Sequence, residues 1–139
     1  MIHDSVIFQK KCPRCSAVTE VLYVQKCIAG DVRCSASVRC GACGLMAEID
    51  GNEAPSDVRN AFLNTSGQWQ IVLLKPGDRR LDVVRLVAEV RGYSIKEALQ
   101  LMKDESESLA QGTRVEMVCT KERFESVGAS VRVERVPPG

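Results

Sequence analysis

The sequence predicts an α+β protein in two parts, a small β-rich segment followed by a β-α-α-β-α-β segment. Three observations predict it. Two Cys-x-x-Cys pairs, at residues 12–15 and 40–43, enclose a stretch of partly alternating, β-branched residues. Beyond residue 68, an apolar run is followed by two segments with helical spacing and clear start and stop signals. The 139 residues are 45% hydrophobic but only 4% aromatic, so both cores must be built from Val, Leu, Ile and Ala. Two small cores of that kind are marginal without a staple. The expected division is residues 1–51, a linker at 52–67, and residues 68–139.

Charge excludes several classes. Nineteen Lys and Arg against eighteen Asp and Glu leave a formal charge of +1, a poor fit to a strongly basic nucleic-acid binder or an acidic tail. No apolar run approaches the ~18 residues of a membrane span. The start, MIHDSVIFQKKCP, has neither the apolar stretch nor the small-residue site of a signal peptide, so a cytoplasmic location is expected. One histidine, His3, excludes most His-dependent catalysis. No paired carboxylates, phosphate loop or open metal site can be picked out, and an enzyme is not expected.

The first half is organised by cysteine. Seven cysteines in a chain without an export signal suggest metal before disulfide. A CxxC turn aims two thiolates at one point, and Cys12, Cys15, Cys40 and Cys43 supply the four sulfurs of a closed tetrahedral Zn2+ site. The glycines of the second turn, Cys40-Gly41-Ala42-Cys43-Gly44, let backbone amides approach the sulfurs. Between the pairs, residues 18–27 and 31–39 read as a hairpin split at Ala29-Gly30. Two knuckles around a hairpin resemble a zinc ribbon over roughly residues 8–50. A redox CxxC would want a following helix to lower the thiol pKa, which β-rich flanks do not offer. Disulfide pairing of the same cysteines is the other alternative. Cys27, Cys34 and Cys119 are expected as buried small apolar residues, with Cys27 or Cys34 as a substitute ligand the lesser alternative. Four thiolates leave no open position for water, so the metal is a staple and not a catalyst.

Residues 51–67, GNEAPSDVRNAFLNTSG, read as the linker, with room for one helical turn around Val58, Ala61, Phe62 and Leu63. The apolar run 69–74 (WQIVLL) is a strand ended by Pro76-Gly77-Asp78, with Asp78 placed to cap a helix over 79–91. Gly92 is a natural residue to stop it. Ser94 and Glu97 form a capping box for a second helix carrying Ile95, Ala98, Leu99 and Met102. Residues 113–119 alternate like a strand, 120–127 suggest a short helix, and 129–136 (ASVRVERV) a final strand. The expected core is Val72, Leu74, Val83, Val87, Leu99, Met102 and Val131.

The first helix has more apolar surface than a sheet requires. Leu81, Val83, Val84, Leu86, Val87, Ala88 and Val90 sweep roughly 220° of its wheel, against the ~100° stripe of a packed surface helix. Val83, Leu86, Val87 and Val90 suffice for the sheet. Leu81, Val84 and Ala88 then make a second ridge bordered by Arg80 and Arg85. The alternative is that this ridge packs against the ribbon or the linker.

The segment VLLKPGDRRLDVVRLVAEVRGYSIKEALQLM, with its RG and KEA signatures, resembles the C-terminal domain of bacterial ribosomal protein L7/L12. The resemblance covers about residues 69–136. It implies that this side of the first helix, with a Lys from the second, docks translation factors. Position by position, the implied docking residues are Arg80, Leu81, Val84, Arg85, Ala88 and Lys96. Ala88 stands where the family has an arginine, and Ser94 replaces a glycine. The family's N-terminal dimerisation helices and flexible hinge are expected to be missing here, with the zinc ribbon in their place.

The function expected is a zinc-stabilised protein-interaction module with a protein partner. One alternative is a bacterial immunity protein that neutralises a toxin, which rests on analogy with other small ribbon proteins. Another is a ribosome- or nucleic-acid-associated ribbon using Lys10, Lys11, Arg14, Arg33 and Arg39. Against that last one, residues 1–50 hold six basic and five acidic side chains, and only Phe8 and Tyr23 can stack on bases.

Overall fold

In a computed structural model of the chain, which describes residues 2–104 and 107–137, Ala29 and Gly30 take φ of 51° and 81°. Two adjacent positive φ values make the tight turn whose twist suits a right-handed hairpin. The turn joins β2 (Val18–Ile28) to β3 (Asp31–Arg39). Two strands beyond the expected hairpin flank it, β1 (His3–Lys11) and β4 (Met46–Gly51). The four form one antiparallel sheet in the order β1-β2-β3-β4.

One sheet face is closed by a helix that the sequence pattern concealed. Residues expected as linker form α1 (Ser56–Ser66), three turns long. Val58 and Phe62, four residues apart and both 0% exposed, pack with Val21, Tyr23 and Cys34, and with Val6, Phe8, Ala36 and Val38 at the margin. A polar segment with one apolar side is held helical by tertiary packing rather than by propensity. Lys10 of β1 reaches Asp57 in the first turn at 3.7 Å and lies over the rings of Phe8 and Tyr23. The N-terminal compact unit is Met1–Ser66, and the C-terminal unit is Gly67–Gly139.

The C-terminal unit has the element order β5 (Trp69–Lys75), α2 (Arg80–Arg91), α3 (Ile95–Met102), β6 (Ser108–Gly112), α4 (Arg114–Ser126), β7 (Ser130–Arg135). β5 is central in an antiparallel sheet of order β6-β5-β7. Its core joins Ile71, Val83, Val84, Leu86, Val87, Ala98, Met102, Leu109, Met117, Phe124 and Val131.

Helix boundaries follow local chemistry with two corrections. Gly92 adopts φ 67° and ends α2, while the Tyr93 amide donates back to the Ala88 carbonyl at 2.9 Å. Ser94 and Glu97 form the expected capping box, at 3.1 Å in both directions. Asp78 does not cap α2; the cap position is Arg79, which has no side-chain cap bond and instead donates to Asp82 at 2.8 Å. Residues 113–119 are not a strand. Thr113 and Glu116 form a second capping box, at 3.0 and 3.1 Å, and open the thirteen-residue α4. The strand lies just before it, as β6. Val115, Met117 and Cys119 alternate in sequence and imitate a strand, while the T-x-x-E pattern carries the deciding signal.

Two expected core residues are outside. Leu73 pairs with Val131 and Lys75 with Ser130, so Leu74 is the extra residue of a bulge and is 53% exposed. On α3, Ala98 and Met102 take the inner side and leave Leu99 and Ile95 exposed.

One tight approach yields a test. Gly77 has φ +74°, and a Cβ there would lie 2.2 Å from the Gly128 carbonyl oxygen. Gly77→Ala adds left-handed strain to a backbone clash, and is expected to cost about 2 kcal/mol or more. Denaturant unfolding of the variant measures this, and a loss under about 0.5 kcal/mol would contradict the close packing of these two loops.

Candidate metal centre and docking surface

The two cysteine turns have the same backbone design. In the first, Cys12 N–H donates to the Ala17 carbonyl at 2.7 Å and Ser16 N–H to the Cys12 carbonyl at 2.9 Å. In the second, Cys40 N–H donates to Leu45 and Gly44 N–H to Cys40, both at 2.9 Å. The residue after each second cysteine is left-handed, Ser16 at φ 65° and Gly44 at φ 77°. Glycine takes that conformation without penalty, whereas serine carries a small strain. β1 and β2 bring one turn, β3 and β4 the other, to the same end of the sheet.

All four sulfurs lie within 4.8 Å of one another. Cys12 to Cys43 is 3.7 Å and Cys15 to Cys40 is 3.6 Å. Tetrahedral bonds of about 2.3 Å place sulfurs about 3.8 Å apart, so the cluster has the dimensions of a four-thiolate metal site. The separations are far longer than the ~2 Å of a disulfide, and all four cysteines are free thiols. Cys12 and Cys40 are buried, whereas Cys15 is exposed and Cys43 half-buried.

Backbone amides favour thiolates here. The Cys43 and Ala42 amides pull the Cys40 thiol down to about 6, and the Cys15 and Arg14 amides lower that of Cys12. At Cys15 the Ala17 amide pulls the same way, but desolvation and the crowding of Cys40, Cys43 and Cys12 win and push it up to about 11. Four sulfurs at this spacing cannot all ionise without a cation among them. The residues therefore fit a metal ion, and the arrangement fits a zinc ribbon. Cys34 lies apart from the cluster in the N-terminal core, where burial raises its thiol pKa. Cys27 and Cys119 are also buried.

The expected docking surface is partly rearranged. Arg80, Arg85 and Lys96 are exposed, and Leu81 is 58% exposed between them in chain order. Ala88 is half-buried. Val84, expected on the outer ridge, is 1% exposed and belongs to the core with Val83 and Val87. The outer side is therefore narrower, with one prominent apolar residue. Arg85 makes a loose 4.0 Å approach to Asp82. A cavity of about 200 Å³ opens beside Arg80, lined by Leu73, Leu74, Pro76, Met102 and Lys103 among others. Leu74 and Lys103 were not expected there, since no sequence signal announced the bulge that turns Leu74 outward.

Among the described residues, no helix is long and apolar enough to cross a membrane.

Together these features define a two-unit α+β protein whose N-terminal sheet ends in a four-cysteine cluster. Its C-terminal half is an L7/L12 C-terminal-like domain. It is 34% identical over 68 residues to large ribosomal subunit protein bL12 of Bacillus licheniformis, a match covering 48% of this chain and 55% of that protein. The bL12 proteins of Bacillus pumilus (34% over 67 residues, 48% and 55% coverage) and Micrococcus luteus (31% over 68 residues, 48% and 58%) are similar in the same way. The chain spans about half the length of the curated relatives it matches. No family model matches the chain.

Proposed function

We propose that this protein is a non-enzymatic interaction module, stapled by Zn2+ at Cys12, Cys15, Cys40 and Cys43, that docks a protein partner through the outer side of α2. The observation that carries the docking is Leu81, a large apolar side chain 58% exposed on a helix that also presents Arg80 and Arg85. Lys96 on α3 adds a third cation. An apolar anchor with a basic rim suits a partner whose surface combines an apolar pocket with carboxylates. The likeness to bL12 makes a translation factor the first partner to test. Val84 and Ala88 support this side from beneath and from the flank. Zn2+ is the ion of choice because a closed tetrahedral four-thiolate set is the common structural zinc site. A cytoplasmic location belongs to the same reading, since reducing conditions keep four thiolates available.

Affinity capture with the full chain, followed by titration against a purified translation factor, tests the docking. Leu81→Asp should weaken binding by 2 kcal/mol or more, roughly thirtyfold, while changing stability by less than ~0.5 kcal/mol. Arg80→Glu and Arg85→Glu should slow association in a salt-dependent way. A melting temperature lowered by about ten degrees in Leu81→Asp would show that Leu81 is part of the core.

A further inference from the structure

β1 is an outer strand of the N-terminal sheet, paired on one side only. The Cys27 amide donates to the carbonyl of Ile2, directly opposite it in the ladder, at 3.3 Å. In an antiparallel pair, alternate residues bond inward, so Ile2, Asp4, Val6, Phe8 and Lys10 face β2 with their backbone groups. Those of Ser5, Ile7 and Gln9 face away from the sheet. Among the described residues, these three make no backbone hydrogen bond outside the β1–β2 ladder. The nine-residue strand has no proline and no register shift. Natural sheets usually guard such an edge.

The opposite edge is guarded. On β4, Glu48 and Asp50 are exposed and, among the described residues, have no ionic partners, and antiparallel pairing of two β4 strands centred on residue 48 or 49 sets carboxylates opposite one another. β1 has the reverse property. Turned antiparallel to itself about Ile7, it sets Ile7 opposite Ile7, Val6 opposite Phe8, and Ser5 opposite Gln9. Lys10 then falls opposite Asp4, and Lys11 opposite His3. Ser5, Ile7 and Gln9 become the hydrogen-bonded positions of the new ladder, which are the outward-facing ones. A shift of two residues either way sets Ile7 against Ser5 or Gln9 and separates Lys10 from Asp4. On the solvent face, Ile7 is 60% exposed beside its cross-strand neighbour Leu22, 38% exposed. The pairing continues that pair as a row of four apolar side chains.

We propose that β1 is a self-association edge, pairing with β1 of a second copy of this chain in an antiparallel ladder centred on Ile7. The two four-stranded sheets then become one sheet of eight, and the two-fold axis passes through the Ile7 pair.

Sedimentation equilibrium of the full zinc-loaded chain tests this, with far-UV circular dichroism to confirm that each variant keeps its fold. The wild-type chain should show a monomer–dimer equilibrium. Ile7→Glu and Ile7→Lys each place like charges on the axis and should weaken the dimer about tenfold or more. An equal mixture of the two should recover a heterodimer, because residue 7 meets residue 7. Ile49→Glu, on the guarded edge, should leave the dimer unchanged. A wild-type chain that stays monomeric at millimolar concentration overturns the proposal. So does a dimer indifferent to both charges at residue 7, or a mixture that fails to recover.

Discussion

Removing the metal from the full chain is expected to unfold the N-terminal unit and leave the C-terminal unit folded. The sheet there is closed by a small core, chiefly Val21, Tyr23, Cys34, Val58 and Phe62. A unit of this size buries too little surface to be more than marginally stable. Both cysteine turns sit at one end of the sheet, and four crowded thiolates repel one another once the cation is gone. Structural zinc sites contribute apparent binding energies of about 10–16 kcal/mol, as large as the whole stability of a domain. Cys40→Ser should act like chelation, since Cys40 is buried and held by the Ala42 and Cys43 amides. Elemental analysis should find one zinc per chain. Amide hydrogen exchange should show protection lost across β1–β4 and kept across β5–β7. Less than half an equivalent of zinc together with disulfides, or an N-terminal sheet still protected after chelation, would refute the staple.

A fragment of residues 67–139 is expected to unfold cooperatively on its own, and Phe124→Ala within it to cost about 3–5 kcal/mol. Phe124 is 0% exposed and joins α4 to the core around Ile71, Val83 and Val87. The cavity left by its ring is filled only in part, because the structure around a large-to-small core substitution relaxes incompletely. At roughly 4–8 °C per kcal/mol for a domain of this size, the variant should melt at least ten degrees lower and could be largely unfolded at room temperature. Chemical denaturation of fragment and variant measures both. A fragment with no cooperative transition would show that the C-terminal core needs the rest of the chain.

Much of this was legible in the residues. The CxxC spacing led to the four sulfurs that the sheet brings together. Gly92 and the Ser94/Glu97 capping box placed the junction between α2 and α3 because both are local devices, satisfied by backbone groups a few residues away. The same logic, applied to Thr113 and Glu116, would have found the start of α4; the alternation of Val115, Met117 and Cys119 outweighed it. α1 was hidden for a different cause. Its ends are rich in Asn, Ser, Thr, Pro and Gly, and only Val58, Ala61 and Phe62, at helical spacing, marked an inner side.

The sequence by itself determined the four cysteines of the cluster, the hairpin turn, the N-terminal cap of α3 and the order of elements in much of the C-terminal half. Each depends on residue chemistry acting over a few positions. Tertiary structure alone decided which side of an element faces inward. α2 has apolar residues over more than half its circumference, so no pattern within it separates Val84, which is buried, from Leu81, which is exposed. Leu74 is turned out because β5 gains one residue relative to β7, and Leu99 because Ala98 and Met102 already fill the inner side of α3. A helix or strand carries its own signals for where it begins and ends. The burial of its apolar residues depends on neighbours brought near by the rest of the chain.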